Sequence, residues 1–444
     1  MRKNRFSPAQ HRALVLIGFL LFYACTTMGQ GRPIEDLFQD VEQYVSERSK
    51  ELQSSGKRVD RGRLDELEDE RKEQALKYAA EAASRTNLTK TDFYYLGRLY
   101  GVGGNDVKQL EFMKRFLAEF PPDTAGSMIQ SARTIVIVQS ARRKLMAEAE
   151  AVFTLWKAGT PMLKNLQPSL QNYIAVGYYK NGEYDLAVRH AQEAFDMLKT
   201  FKATTLRDKR DREQIYMNLT EVLAMSYRKS KNSEQALNVL AEARAESFAI
   251  PSAELYRKVM DFVESSGFSE KKLMQKVESR ASADPAPEIA FTEWVGHDPI
   301  ALEHFRGRVV LLDFWATWCM PCIATFPRLR SWQKKFGGAE FIIVGVTQYY
   351  GQQGGKKMTA LQELDFLNEF RAKHKLPYPF AIAGPTEARM KYGINAYPTT
   401  VLLDRKGVVR YIGIGAGIEE SENLEDTIKK VLAEDRSNLA RSSN

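Results

Sequence analysis

Cysteine and histidine are scarce in this chain, which has 444 residues but three cysteines and five histidines. Two of the cysteines, Cys319 and Cys322, stand two residues apart, and the sequence has no second pair to complete a four-cysteine zinc site. The histidines of the C-terminal half lack the spacing of metal ligands; they are His297, His304 and His374. The sequence therefore predicts no metal and no bound cofactor. It favours redox chemistry for the pair, because a purely structural disulfide closing so short a loop would stabilise the fold little.

Long apolar runs are also lacking, apart from one near the N terminus. Residues 13–24 are apolar but too few for a comfortable membrane span. Basic residues precede this run and small and polar residues follow it, which is the layout of a signal peptide. Residues 1–29 are thus predicted to be a signal peptide or membrane anchor, with lipidation at Cys25 as an alternative. Each option places the rest of the chain outside the cytoplasm, in a bacterial periplasm or cell envelope, where disulfides are exchanged.

An excess of acidic residues is absent as well. Lysine and arginine number 64, aspartate and glutamate 56, and the formal net charge is +8. Part of the positive charge lies in the N-terminal segment, and no strip of interleaved aromatic and basic residues indicates nucleic-acid binding. We therefore expect no nucleic-acid partner, and membrane contact only through the N-terminal segment. The length is too great for one ordinary core and predicts two or three domains.

The cysteine pair follows a predicted buried strand. Residues 309–315 are β-branched and apolar except for Asp313, over a length typical of a strand. A helix is predicted to begin at the pair, with Pro321 in its first turn, where the missing N–H costs nothing. A thiol at a helix N terminus lies near unpaired N–H groups and the positive end of the helix dipole, which both favour the thiolate. Because the thiolate attacks disulfides, the pattern predicts thiol–disulfide exchange.

From about Pro285 to Leu432 the sequence resembles thioredoxin-like domains, and more closely the TlpA/ResA-type thiol-disulfide oxidoreductases of bacterial envelopes. The resemblance rests on the residues FWATWC at 314–319, on Phe326-Pro327, and on 392–400, which resembles the family's cis-proline loop. Around these motifs, strands are predicted at 341–347, 399–404 and 408–413, and a helix at about 361–374. The resemblance implies an α/β thioredoxin-like fold, and the alternation agrees with a helix-covered sheet.

The resemblance also implies catalytic roles for four residues. Cys319 would be the nucleophile and Cys322 the resolving thiol. Asp313 stands where thioredoxins carry a buried acid, which can exchange a proton with Cys322 because burial raises its pKa. An ordinary strand-end carboxylate is the alternative interpretation of Asp313. Pro398 would be the cis-proline beside the disulfide.

Three further residues are implied to contact the substrate. Trp318 would form an apolar surface beside the nucleophile with Met320, and the backbone of Tyr397 would pair with an extended substrate. One position departs from the family, since Thr325 stands where reductive TlpA/ResA-type proteins usually carry a glutamate. The proton acceptor therefore looks thioredoxin-like. Met320 and Pro321 add no charge between the cysteines, so they favour neither an oxidant nor a reductant.

The upstream part of the chain is predicted to be helical. Residues 174–194 resemble a tetratricopeptide repeat, with Gly182 in the turn between two helices. Residues 223–243 repeat the same spacing, and 96–121 form a weaker third copy. Such repeats stack helix pairs and can offer a concave docking surface for a protein partner. A scaffold that only orients or tethers the redox domain is an equally weighted alternative.

These patterns together predict a multidomain chain. An all-α, tetratricopeptide-like helical-repeat domain covers 30–280, a linker covers 281–284, an α/β thioredoxin-like domain covers 285–437, and a tail covers 438–444. The leading functional hypothesis is an extracytoplasmic thiol-disulfide oxidoreductase that acts on protein substrates and exchanges electrons with a redox donor or acceptor protein. One alternative is a thiol peroxidase, although Ala316 stands where peroxiredoxins have threonine. Another is a repeat-based binding protein with a redox-sensing module.

Overall fold

The computed structural model describes residues 31–159, 166–277 and 284–442, without the side chains of 275, 277 and 435–442. The predicted signal segment 1–29 and residues 281–283 of the predicted linker lie outside the described residues. Within the described ranges, no helix is long and apolar enough to cross a membrane. The chain divides into two compact units, with the boundary in the sequence between Gly177 and Tyr178.

The first unit is helical. Its helices are α1 (Ile34–Ser54), α2 (Arg61–Ala83), α3 (Lys90–Val102), α4 (Asp106–Ala118), α5 (Ser127–Arg142), α6 (Met146–Lys157) and most of α7 (Gln167–Asn181). Thr89 begins α3 with a capping box, in which the Thr89 hydroxyl accepts from the Asp92 N–H and the Asp92 carboxylate accepts from the Thr89 N–H. At Gly97 a Cβ atom would lie 2.8 Å from Met113 Cε, so glycine lets α3 and α4 approach closely.

The second unit begins with five more helices. These are α8 (Tyr184–Thr200), α9 (Leu206–Lys229), α10 (Ser233–Ala249), α11 (Ala253–Ser265) and α12 (Glu270–Val277). The small residues Ala224, Ala236 and Ala243 of the predicted 223–243 copy are buried on α9 and α10, which pack on each other. The helical prediction for this part of the chain is confirmed, while its tetratricopeptide identity stays a prediction.

A six-stranded sheet follows in the same unit, in the order β1-β6-β3-β2-β7-β8. Strand β2 pairs parallel with β3, and β3 pairs parallel with β6, whereas β1, β7 and β8 join antiparallel. The strands are β1 (Phe291–Val295), β2 (Val309–Phe314), β3 (Phe341–Thr347), β6 (Phe380–Ala383), β7 (Thr399–Leu403) and β8 (Val409–Ile414). A separate two-stranded hairpin, β4 (Gln352–Gln353) and β5 (Lys356–Lys357), lies between β3 and the next helix. The predicted α/β thioredoxin-like fold class is confirmed.

Helices cover both faces of this sheet. The helices that follow β2 are α13 (Met320–Phe336), α14 (Ala360–Lys373), α15 (Glu387–Tyr392) and α16 (Ile418–Ser442), and a short 3-10 helix spans Leu302–Phe305. One face packs Val309, Leu311 and Trp315 against α13, α14 and α16. The opposite face packs Val310 and Leu312 in a core that also includes Ala253 of α11. Helix α16 continues through 438–442, part of the predicted tail.

Candidate active site

The two cysteines lie where strand β2 gives way to helix α13. Their sulfur atoms form a disulfide bond. Cys319 is the N-cap residue of α13, and its Sγ accepts a hydrogen bond of 3.2 Å from the Cys322 N–H. Cys322 is fully buried, and Cys319 is 5% exposed. The helix therefore begins at Cys319, as its Cys-x-x-Cys spacing and Pro321 predict.

Asp313 is the carboxylate of the site's buried side. It is 1% exposed, and it alternates along β2 with Leu312 and Phe314, so it faces the side of the sheet that α13 covers. Neither carboxylate oxygen has a hydrogen-bond partner among the described residues. Burial raises the pKa of Asp313 to about 7. A carboxyl group with this pKa can both take up and release a proton near neutral pH.

The outer side of the site is an aromatic rim. Trp318 is 59% exposed and makes edge-on ring contacts with Tyr350 and Tyr397, with centroids 5.7 and 6.0 Å apart. Met320 is 70% exposed in the first turn of α13. The Tyr397–Pro398 peptide bond is cis, as the resemblance implies, and Pro398 is buried. The structure thus brings Trp318 and Tyr397 together at the rim, and Met320 directly follows the N-cap residue Cys319.

Thr325, the position that departs from the TlpA/ResA pattern, lies one turn after Cys322. Its hydroxyl donates a hydrogen bond of 2.7 Å to the Cys322 carbonyl oxygen. A threonine hydroxyl cannot accept and hold a proton near neutral pH as a carboxylate can. Asp313, on the neighbouring strand β2, is a carboxyl group on the buried side of this turn.

The hairpin formed by β4 and β5 is a part of the site that sequence reasoning missed. Gln353 of this hairpin accepts a hydrogen bond of 3.1 Å from the Thr317 hydroxyl, which ties the hairpin to the residue before Trp318. The buried carboxylate of Glu363 accepts from the Tyr350 and Gly351 N–H groups at 2.8 and 2.9 Å. The closely spaced glycines of this segment would have indicated a turn; they are Gly351, Gly354 and Gly355.

No group of three or more histidine, cysteine, aspartate or glutamate side chains is placed to hold a metal ion anywhere in the described ranges. The reactive groups that the structure places at this turn include the two sulfur atoms and the Asp313 carboxyl group.

Comparison with known proteins identifies the domain. The family model described as Redoxin matches residues 281–428. Thioredoxin-like protein YneN of Bacillus subtilis is 30% identical over 130 residues, which are 29% of this chain and 69% of that protein. The chain belongs to the thioredoxin-like redoxin proteins. The prediction of a thioredoxin-like thiol-disulfide oxidoreductase is thereby confirmed at the level of family and enzyme class.

Further relatives match between about a third and a half of this chain. Thiol-disulfide oxidoreductase ResA of Geobacillus kaustophilus is 29% identical, over 32% of this chain and 73% of its own length. Protein SUPPRESSOR OF QUENCHING 1 of Arabidopsis thaliana is 27% identical over 49% of this chain, but the match spans 19% of that protein. The crystal structure of a putative thiol:disulfide interchange protein DsbE from Chlorobium tepidum is 30% identical, with a TM-score of 0.28, over 34% of this chain and 96% of that one.

Proposed function

We propose that this redoxin protein is an extracytoplasmic thiol-disulfide oxidoreductase that exchanges disulfides with protein substrates through Cys319 and Cys322. The observation that carries the proposal is the placement of the pair: one sulfur at the N-cap of a helix, the other fully buried one turn later. The helix N terminus favours a thiolate at Cys319 when the disulfide is reduced. The relatives named thiol-disulfide oxidoreductases support the same chemistry.

The reaction begins with the reduced pair and a disulfide in the substrate. The Cys319 thiolate attacks one substrate sulfur, the substrate S–S bond breaks, and the other substrate sulfur leaves as a thiolate. The Cys322 thiol then loses its proton to Asp313, and its thiolate attacks Cys319. A Cys319–Cys322 bond forms, the bond to the substrate breaks, and two electrons have passed to the substrate. The same steps run backwards when a dithiol reduces the protein.

The rim supplies the contact with the substrate in this proposal. Trp318 and Met320 present apolar surface that water covers poorly, and such exposed patches often mark interaction sites. The Tyr397 backbone next to cis Pro398 offers polar groups to an extended chain. Substrates are therefore proteins with an accessible disulfide or dithiol, and a second redox protein restores the pair.

The location and the helical part complete the proposal. The predicted signal segment supports export, and an oxidising compartment suits a protein that cycles through a disulfide. The helices before residue 278 are proposed either to orient the redoxin domain or to dock a partner protein. Removing them should change the choice of partner if they dock it.

The test is reduction of insulin disulfides by the full chain with a dithiol as electron donor. Cys319→Ser is expected to abolish turnover, and Cys322→Ser to accumulate a covalent adduct with the substrate, because no resolving thiolate remains. Cys25→Ser is the matched control and should behave as wild type. Full turnover by either site variant would contradict the mechanism.

A further inference from the structure

A row of three residues crosses the sheet beside Asp313. Asp313 of β2 pairs with Thr400 of β7, and Thr400 pairs with Gly413 of β8. Directly paired residues project from the same face of a sheet, with their Cβ atoms about 4.5–5.5 Å apart. The Asp313 carboxyl and the Thr400 hydroxyl are therefore neighbours. Gly413 leaves the third place in the row without a side chain.

Glu420, near the start of α16, occupies the space that Gly413 leaves. A Cβ atom at position 413 would lie 2.7 Å from Thr400 Oγ1 and 2.8 Å from Glu420 Oε1, so both oxygens border the same small volume. The Tyr411 hydroxyl donates a hydrogen bond of 2.5 Å to Glu420 Oε1 and fixes the carboxyl group there. Glycine at 413 thus makes room for a second carboxyl group in the row.

A small cavity joins the two carboxyl groups. Its volume is about 20 Å³, and its walls include Asp313, Thr400 and Glu420, together with Thr325 and Pro398. A water molecule needs roughly 10–15 Å³ of accessible volume and two to four polar partners. The cavity provides the room and, in its two carboxyl groups and the hydroxyl groups of Thr325, Thr400 and Ser421, the partners. One water there would bond the Asp313 oxygens, which have no partner among the described side chains and backbone groups.

Glu420 faces a second, much larger space on its other side. A cleft of about 1240 Å³ lies between the helices α10 to α12 and the edge formed by β8 and α16, and Glu420 lines it as well. Burial raises the pKa of Glu420; the hydrogen bond from Tyr411 opposes this shift, and charges on Glu419 and Glu270 add to it. Further charged side chains line the two spaces that Glu420 borders, from every element packed there: Arg244 on α10, Arg257, Asp261 and Glu264 on α11, Arg328 on α13, Asp313 on β2, Arg410 on β8, and Asp426, Lys430 and Glu434 on α16. Glu420 is thus the group that borders both the cavity and the cleft.

We propose that Glu420 relays protons between Asp313 and the cleft, through one water held in the small cavity with the Thr400 hydroxyl. The relay rests on the proposed function, in which Asp313 exchanges a proton with Cys322. When a dithiol reduces the protein, its thiolate attacks Cys319 and bonds to that sulfur, the Cys319–Cys322 bond breaks, and Cys322 takes the electron pair and a proton from Asp313. The second thiol of the dithiol then closes the reductant's own disulfide and releases Cys319 as a thiolate. If Asp313 is already ionised when reduction begins, a proton must return to it first. In the relay this proton passes from the cleft to Glu420, from Glu420 to the water, and from the water to Asp313. Glu420 therefore acts on Cys322 only through Asp313.

A pH-jump experiment on the oxidised full-length chain isolates this step. In one arm the protein is equilibrated at pH 9, where Asp313 is ionised, and mixed into dithiothreitol at pH 6. In the other arm it is equilibrated at pH 6 before mixing. Acid quenching and thiol alkylation then give the rate at which the disulfide is reduced. The comparison holds the chemistry constant and varies only the starting protonation of the buried groups.

In the Glu420→Gln variant, the disulfide is expected to be reduced about 10-fold more slowly in the jump arm than in the equilibrated arm. This effect is smaller than the rate loss of about 10²–10⁴-fold that is typical when an acid–base group is removed. Wild type and the control Glu419→Gln, altered at the neighbouring residue, should give equal rates in both arms. A purely structural defect would slow both arms alike. Gly413→Ala, whose Cβ displaces the Glu420 carboxyl, should reproduce the jump-specific delay if Glu420→Gln folds poorly.

Two results would overturn the relay. Equal rates in both arms for Glu420→Gln and Gly413→Ala would show that Asp313 exchanges protons by another route, while the proposed redox function would stand. A wild-type protein whose disulfide is not reduced in either arm would instead remove the proposed function, and the relay with it.

Discussion

The two sides of the Cys319–Cys322 disulfide differ in polarity and in access. The outer side is apolar and open, with Trp318 and Met320 59% and 70% exposed. The inner side is closed and carries the carboxyl group of Asp313, which is 1% exposed. In the proposed mechanism a protein substrate reaches only the outer side, whereas the proton of the Cys322 thiol is handled on the inner side. The proposed mechanism thus separates substrate binding from proton transfer in space, and changes on each side should alter different steps.

The largest expected effect concerns the stability of the inner side. The pKa of Asp313 is about 7 in the folded protein and about 3.9 in an unfolded chain, so the folded state holds the proton more tightly. The contribution of Asp313 to the free energy of unfolding therefore falls as pH rises from about 4 to about 7 and is level above that. A shift of about three units corresponds to about 4 kcal/mol. Asp313→Asn should remove this loss, so its advantage over wild type in urea unfolding should grow from pH 4 to pH 7.

The same substitution should slow the chemistry. Asp313→Asn keeps the size of the side chain but cannot accept the Cys322 proton, and loss of a general base typically costs 10²–10⁴-fold. We expect release of a mixed disulfide to slow about 100-fold at pH 7, measured by rapid quenching and mass spectrometry. The first attack by Cys319 should change little. A release rate within twofold of wild type would show that Asp313 is an ordinary strand-end carboxylate without a role in proton transfer.

On the outer side, Trp318→Ala should weaken substrate binding. Exposed aromatic anchors are worth about 1–2 kcal/mol when truncated, which is roughly a 5- to 30-fold rise in KM for a protein substrate. Reduction by small dithiols and the pH profile should remain unchanged, because the inner side is intact. Val107→Ala, at a similarly exposed apolar residue of the first unit, is the control. An equal effect on small dithiols would mean that Trp318 acts on the cysteines rather than on the substrate.

The smallest effect is expected at the hairpin. Gln353→Ala removes one partly buried hydrogen bond with Thr317, which contributes about 1 kcal/mol. We expect less than a 5-fold change in KM for protein substrates, without a change in the rate of mixed-disulfide release. A changed rate of mixed-disulfide release with an unaltered KM would instead show that the hairpin affects proton transfer at the cysteines.

Local patterns predicted the strands of the redoxin domain well. The buried run at 309–315 corresponds to β2 (Val309–Phe314), and the predicted strands at 341–347 and 399–404 agree with β3 and β7 within a residue. These segments are continuous and apolar, since helices cover them on both faces, so their boundaries are visible in the sequence. The N-terminal start of α13 was equally predictable from Cys319 and Pro321.

Contacts between distant segments could not be predicted in this way. Glu420 lies 107 residues after Asp313, and only the pairing of β2, β7 and β8 brings them to one cavity. Ala253 of α11 is 1% exposed because it packs on the sheet core, yet its sequence resembles any helix face. The hairpin at 352–357 has strands of two residues each, too short for a periodic pattern.

The most direct test of the account is the titration of the Asp313 carboxyl group itself. Carbon NMR of aspartate-labelled, oxidised protein, with Asp313→Asn to assign the signal, would follow its ionisation. The account predicts a midpoint near pH 7, because the group is buried beside the resolving cysteine's helix. A midpoint near 4, the value of an exposed aspartate, would contradict the claim that the inner side of the disulfide holds the proton.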